Sequence, residues 1–126
     1  MTTLPPPVAA RTNRWALIAV IASVLSLGNV LVAGLTALGL PYRWLEVPRQ
    51  HILWGLAQNC ISTVFLAAAS AGLILGVTAV VQCRASRGEE RGSSAGMAAV
   101  VLALAAMFLP HVVRFVGGLF ALMQIR

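Results

Sequence analysis

Polar and apolar positions along this chain segregate into three long apolar runs divided by two short polar stretches. The first run, WALIAVIASVLSLGNVLVAGLTALGL from Trp15 to Leu40, carries no charge. As a helix rising ~1.5 Å per residue it would extend about 39 Å, more than the ~30 Å of hydrocarbon in a bilayer. It is too long for a signal-peptide core and lacks a small-x-small cleavage site, so it reads as a retained transmembrane helix. PYRWLEVPRQ, residues 41–50, breaks the apolar pattern, and its Pro48 is placed to open the next helix.

The second run is uncharged from His51 to Gln82 and would make a helix of roughly 48 Å, more than one crossing needs. The hydrocarbon span is therefore placed at about 60–82, with residues 49–59 as an interfacial turn or helix extension. CRASRGEERGSS then interrupts, and Ser93 or Ser94 is the expected cap of the third helix. That helix opens at Ala95 and contains Pro110, His111 and Arg114, so a span of about 95–116 with a kink near Met107–Pro110 is expected. A chain turning back at Pro110 would leave two pieces of about 22 Å each, neither able to cross. The pattern thus predicts an all-α integral membrane protein. Residues 14–126 form one domain of three transmembrane helices, with a short interfacial segment between the first two, and residues 1–13 form a disordered, proline-rich tail.

Composition places the chain in the same class: 126 residues, 60% of them hydrophobic, with a mean hydropathy of +0.91. The net charge of +6 comes entirely from arginine, with no lysine, and suggests a GC-rich, bacterial coding sequence. These arginines flank apolar runs and no aromatic residues interleave with them, which argues against nucleic acid as a partner and for membrane lipids. With three crossings, Arg11, Arg14, Arg84, Arg87 and Arg91 share one side, against Arg43, Arg49 and Arg126 with Arg114 nearby. That bias puts the N-terminus in the cytoplasm and the C-terminus outside, in a multi-pass cell-membrane protein.

Helices surrounded by lipid associate through small residues and a few polar contacts. Ala68, Gly72 and Gly76 recur at intervals of four on the second helix, and Ala95, Ala99 and Ala103 with Gly96 form a stripe on the third. These stripes fit either a hairpin within the chain or a self-association face. Asn29, in mid-span, is expected to supply a polar packing contact. Arg84, Arg87 and Arg91 in the loop, and Tyr42, Trp44 and Trp54 at the other interface, are candidate contacts for lipid headgroups or a partner.

Chemistry is sparse. Cys60 and Cys83 would lie roughly 35 Å apart on one helix, too far for a disulfide, and Cys83 at the bilayer edge is the one expected to be accessible. No metal-ligand spacing, cofactor motif or nucleophile–base order is present, which speaks against an enzyme and against bound cofactors. His51, Glu46, His111 and Arg114 are the only titratable groups that could converge, on the outer side.

Leu75, Gly76 and Ala79 before the loop, Arg84, Arg87, Arg91 and Gly92 within it, and Ala95, Gly96, Met97 and Ala98 after it form a pattern. It resembles that of a family of small bacterial membrane proteins known as domain of unknown function 4190. The WALIAVIASVLSL segment is similar to the first helix of such proteins, and the resemblance covers Trp15 to Leu109. It implies helices joined by an arginine-rich loop and assigns no catalytic residue. The expected role is a small membrane accessory or scaffold protein that packs with partner transmembrane helices as a subunit or regulator of a larger complex. A phage holin-like pore former is the alternative of a different class.

Overall fold

The computed structural model describes residues 11–39, 48–87 and 90–125. In chain order these form β1 (Arg11–Thr12), α1 (Arg14–Ser26), α2 (Gly28–Ala37), α3 (Pro48–Ala85), β2 (Glu90–Arg91) and α4 (Ser93–Gln124). Three helical stretches, Arg14–Ala37, Gln50–Ala85 and Ser93–Gln124, are long and apolar enough to cross a membrane. α1 and α2 serve as one such stretch because the residue between them, Leu27, stays near helical geometry at φ −62, ψ −18. Its N–H bonds the Val24 carbonyl at 3.1 Å. The Ser26 hydroxyl donates to the Ser23 carbonyl at 2.6 Å, a back-bond of the type that bends helices.

The core is built from small residues. Exposure falls to a minimum at Ala16, Ala19, Ser23, Ser26, Asn29 and Ala33 on α1 and α2, and at Ala69, Gly72, Gly76, Ala79 and Cys83 on α3. On α4 the buried set is Gly96, Ala99, Ala103, Ala106 and Pro110. All three series advance in steps of three and four, the period that holds a seam against neighbouring helices in left-handed packing. Large side chains such as Leu17, Leu31, Val64, Ile74, Val101 and Phe108 point outward. Small inside and large outside inverts the arrangement of a water-soluble bundle, where burying Leu, Ile and Phe supplies the driving force. It suits helices that meet in lipid, where close backbone approach does that work.

Several expectations are revised. Of the two forms expected for residues 49–59, the structure shows the helix extension: with Pro48 they are the first turns of α3, a continuous helix of 38 residues, and no turn sets them apart from the span. Pro48 sits at its start, where a missing N–H breaks no bond, and no later residue in that stretch interrupts the ladder. α4 likewise runs through Pro110 to Gln124, and Gly117 and Gly118 do not stop it because the positive-φ glycines are Gly39 and Gly92. The α4 cap is Gly92 at φ 135, with no side-chain cap bond, so Ser93 and Ser94 fall inside the first turn. Residues 11–13, assigned to the tail, are ordered: Arg11 pairs with Glu90 and Thr12 with Arg91 in a short parallel ladder.

Candidate functional site

The arginine-bearing end is organised by Asn13. Its Oδ1 accepts from the Trp15 N–H at 2.9 Å and the Ala16 N–H at 3.4 Å, which caps α1. Its Nδ2 donates to Glu90 Oε2 at 2.9 Å and Gln82 Oε1 at 3.1 Å, and its N–H to the Arg91 carbonyl at 2.9 Å. One buried amide thus ties the start of α1 to the end of α3 and to the following loop. Arg11, Arg14, Arg84, Arg87 and Arg91 are gathered at this end, all exposed. A cavity of about 420 Å³ lies here, lined by Arg11 to Trp15, Gln82 and Glu90. Tyr42 and Trp44 lie outside the described residues. Trp54 is half-buried on α3, and its indole N–H has no hydrogen-bond partner among the described residues.

The packing residues divide between partners. A Cβ added at Gly76 would stand 2.9 Å from the Gly96 carbonyl oxygen, and one at Gly96 3.0 Å from that of Gly76, so α3 and α4 touch backbone to backbone here. Gly72 faces α1 instead: a Cβ there would collide with Ser23 Oγ. That hydroxyl donates to the Ala99 carbonyl at 2.9 Å, which makes Ser23 the point where all three spans meet. The two glycines of the GxxxG therefore serve different neighbours. Four residues turn a helix by about 400°, so a strict four-residue repeat walks around the surface. For the same reason Ala69 at 1% exposure, rather than the half-buried Ala68, belongs to the seam. On α4 it takes Gly96, Ala99 and Ala103, leaving Ala95 half-buried at its edge.

Toward the opposite end, a half-open cavity of about 330 Å³ lies between the three spans, lined by Asn29, Asn59, Ser62, Thr63, Leu66, Met107, Pro110, His111 and Arg114. Six of the nine lining residues carry polar side chains, although they lie on the apolar spans. Asn29 is 9% exposed, and its Oδ1, like the Ser62 Oγ, has no hydrogen-bond partner among the described residues. A buried polar atom left unpaired in protein costs about 1–3 kcal/mol, and more in hydrocarbon. Pro110 adds to this deficit, since without an N–H it deprives the Ala106 carbonyl of its usual i+4 donor. His111 and Arg114 bring positive or donor character, and among the described residues no carboxylate lines the cavity. His51 does not line this cavity, and Glu46 lies outside the described residues.

Searches of protein families, curated proteins and solved structures return no match to this chain. Its reading rests on its own residues.

The cysteines reverse their expected accessibility: Cys83 is buried, 7% exposed under Asn13, and Cys60 is exposed on α3. Among the described residues no cluster of three His, Cys, Asp or Glu side chains could hold a metal ion. The roles of Asn13, Ser23 and Ser62 escaped sequence reasoning. Asn13 did carry a signal, an Asn directly before an apolar helical run. Ser62 carried none that a single helix shows.

Proposed function

We propose that this chain is a small integral-membrane accessory or scaffold subunit, crossing the bilayer three times with its N-terminus in the cytoplasm and its C-terminus outside. It joins a larger complex through partner transmembrane helices. Five arginines gathered at the α1 and loop end support that orientation.

The observation that carries the proposal is a surplus of apolar length. The α3–α4 loop brings those two helices level at one end, so their excess falls at the other. At ~1.5 Å per residue, α3 reaches about 57 Å and α4 about 48 Å, against ~30 Å of hydrocarbon. A typical tilt of ~20° lengthens the covered path by only about 2 Å. Beside their polar residues, the overhanging turns expose large apolar side chains: Ile52, Leu53, Leu56, Phe115, Leu119, Phe120 and Met123. Partner protein covering this end accounts for apolar side chains that lipid does not reach.

The test is purification of the tagged chain in mild detergent after incorporation of a photo-crosslinking residue at Leu53 or Phe120. A stoichiometric partner crosslinked from these positions is the expected result. Recovery of the uncrosslinked chain alone, from both positions, would overturn the reading.

A further inference from the structure

The cavity between Asn29, Ser62 and Arg114 is half open and gathers six polar side chains far along the apolar spans. Counted along the helices at ~1.5 Å per residue from the arginine-loop end, Asn29 lies about 22 Å in, Pro110 about 26 Å and Arg114 about 32 Å. For a bilayer-spanning bundle this places the cavity across the boundary between acyl chains and headgroups of the far leaflet. Its groups suit one chemistry. Arg114 supplies a fixed cation with a fork of N–H donors. His111 and the Ser62 hydroxyl, unpaired among the described residues, supply further donors, and the Asn29 amide can turn either end toward the cavity. Thr63 has its hydroxyl proton committed to the Asn59 carbonyl at 2.8 Å, so it contributes only lone pairs. Leu66 and Met107 form an apolar wall beside these groups, as an acyl chain leaving a bound headgroup would need. The volume of about 330 Å³ is of headgroup size, at the lower end of ligand pockets.

We propose that this cavity binds the phosphate group of an anionic lipid, held by Arg114 and His111 with Ser62 and Asn29 completing the shell. A bound phosphate accepts from the Arg114 guanidinium, from His111, from the Ser62 hydroxyl and, with the amide turned, from Asn29 Nδ2. The proposal rests on the chain spanning a bilayer but not on a protein partner. Flotation with vesicles after carbonate extraction reads insertion separately, so a failure there is distinguishable from a failure of the site.

The test is native mass spectrometry of the full chain released from detergent micelles, titrated with phosphatidylglycerol and, in parallel, with phosphatidylcholine of the same acyl chains. The wild type is expected to retain one phosphatidylglycerol with about tenfold preference over phosphatidylcholine. Arg114→Gln, at an exposed position on α4, is expected to abolish that preference with helical circular dichroism unchanged. Ser62→Ala should weaken it about threefold, in line with the loss of one hydrogen bond. Arg84→Gln, an equal loss of charge at the opposite end, should leave it intact. Displacement of the lipid by millimolar inorganic phosphate would keep the phosphate site but overturn lipid as its occupant. Equal retention of both lipids by the wild type, or an equal loss in Arg84→Gln and Arg114→Gln, would overturn the site itself.

Discussion

Gly76 and Gly118 are both glycines on long helices, yet an added methyl group meets opposite surroundings at the two. At Gly76 it would press on the Gly96 backbone at 2.9 Å and on Val100 and Ala99, whereas at Gly118 nothing among the described residues lies within 4 Å. Gly76→Ala is therefore expected to destabilise the bundle by about 1–3 kcal/mol, the usual cost of overpacking against atoms that cannot yield. Gly118→Ala should be neutral or stabilising by up to about 1 kcal/mol, through helix propensity alone. Detergent-titrated unfolding followed by circular dichroism measures both, and equal effects would remove the idea of a backbone contact at Gly76. This contrast was only partly legible in the sequence. Small residues mark contact faces between helices in lipid, but alanine is so frequent here that two adjacent stripes on α3, through Ala68 or Ala69, read alike. Burial chooses between them, and burial depends on where the third helix lies.

At the scale of elements, α1 is locked to the α3–α4 loop by a ladder two residues long and one capping side chain. Asn13→Ala removes the cap on Trp15 and Ala16 together with the bonds to Glu90 and Gln82. A cap alone is worth about 1 kcal/mol, and the loss of its tethering bonds raises the expected destabilisation to about 2 kcal/mol. Amide exchange at Trp15 and Ala16 should accelerate while exchange in the middle of α4 does not. Uniform acceleration would mean global unfolding rather than a lost tether. Gly92→Ala should act at the same joint, because a Cβ there meets the Ala16 Cβ at 3.2 Å and φ 135 strains any L side chain. The pairing of residues 11–12 with 90–91 joins segments far apart in the chain, and no local pattern encodes it. The continuity of α3 was hidden for another reason: Gln58 and Asn59 look like a boundary to a hydropathy reading, but neither breaks a helix.

The whole molecule has two unlike ends, and this asymmetry makes its orientation measurable. One end carries the capped, hydrogen-bonded loop with five exposed arginines, and the other carries overhanging apolar helix and the cavity beside Arg114. Cys83 is a poor reporter, since burial under Asn13 would keep it unlabelled from either side. Cys60 is exposed, and lies about 38 Å along α3 from Ala85 at ~1.5 Å per residue, beyond ~30 Å of hydrocarbon. A membrane-impermeant maleimide should therefore label Cys60 in intact cells if the arginine end is cytoplasmic. The reciprocal probe is Ser94→Cys in a Cys60→Ser background, at an exposed position in the first turn of α4 that changes no charge. It should label only after permeabilisation. Labelling of residue 94 in intact cells, with Cys60 protected, would invert the orientation and move the apolar overhang, with whatever partner covers it, to the cytoplasmic side. Because Glu89 and Glu90 count little in the charge rule, replacing them with glutamine should not alter either labelling pattern. Replacing Arg84, Arg87 and Arg91 with glutamine removes three of the five arginines gathered at this end. It should yield a mixed population in which both residues 60 and 94 become reactive from outside.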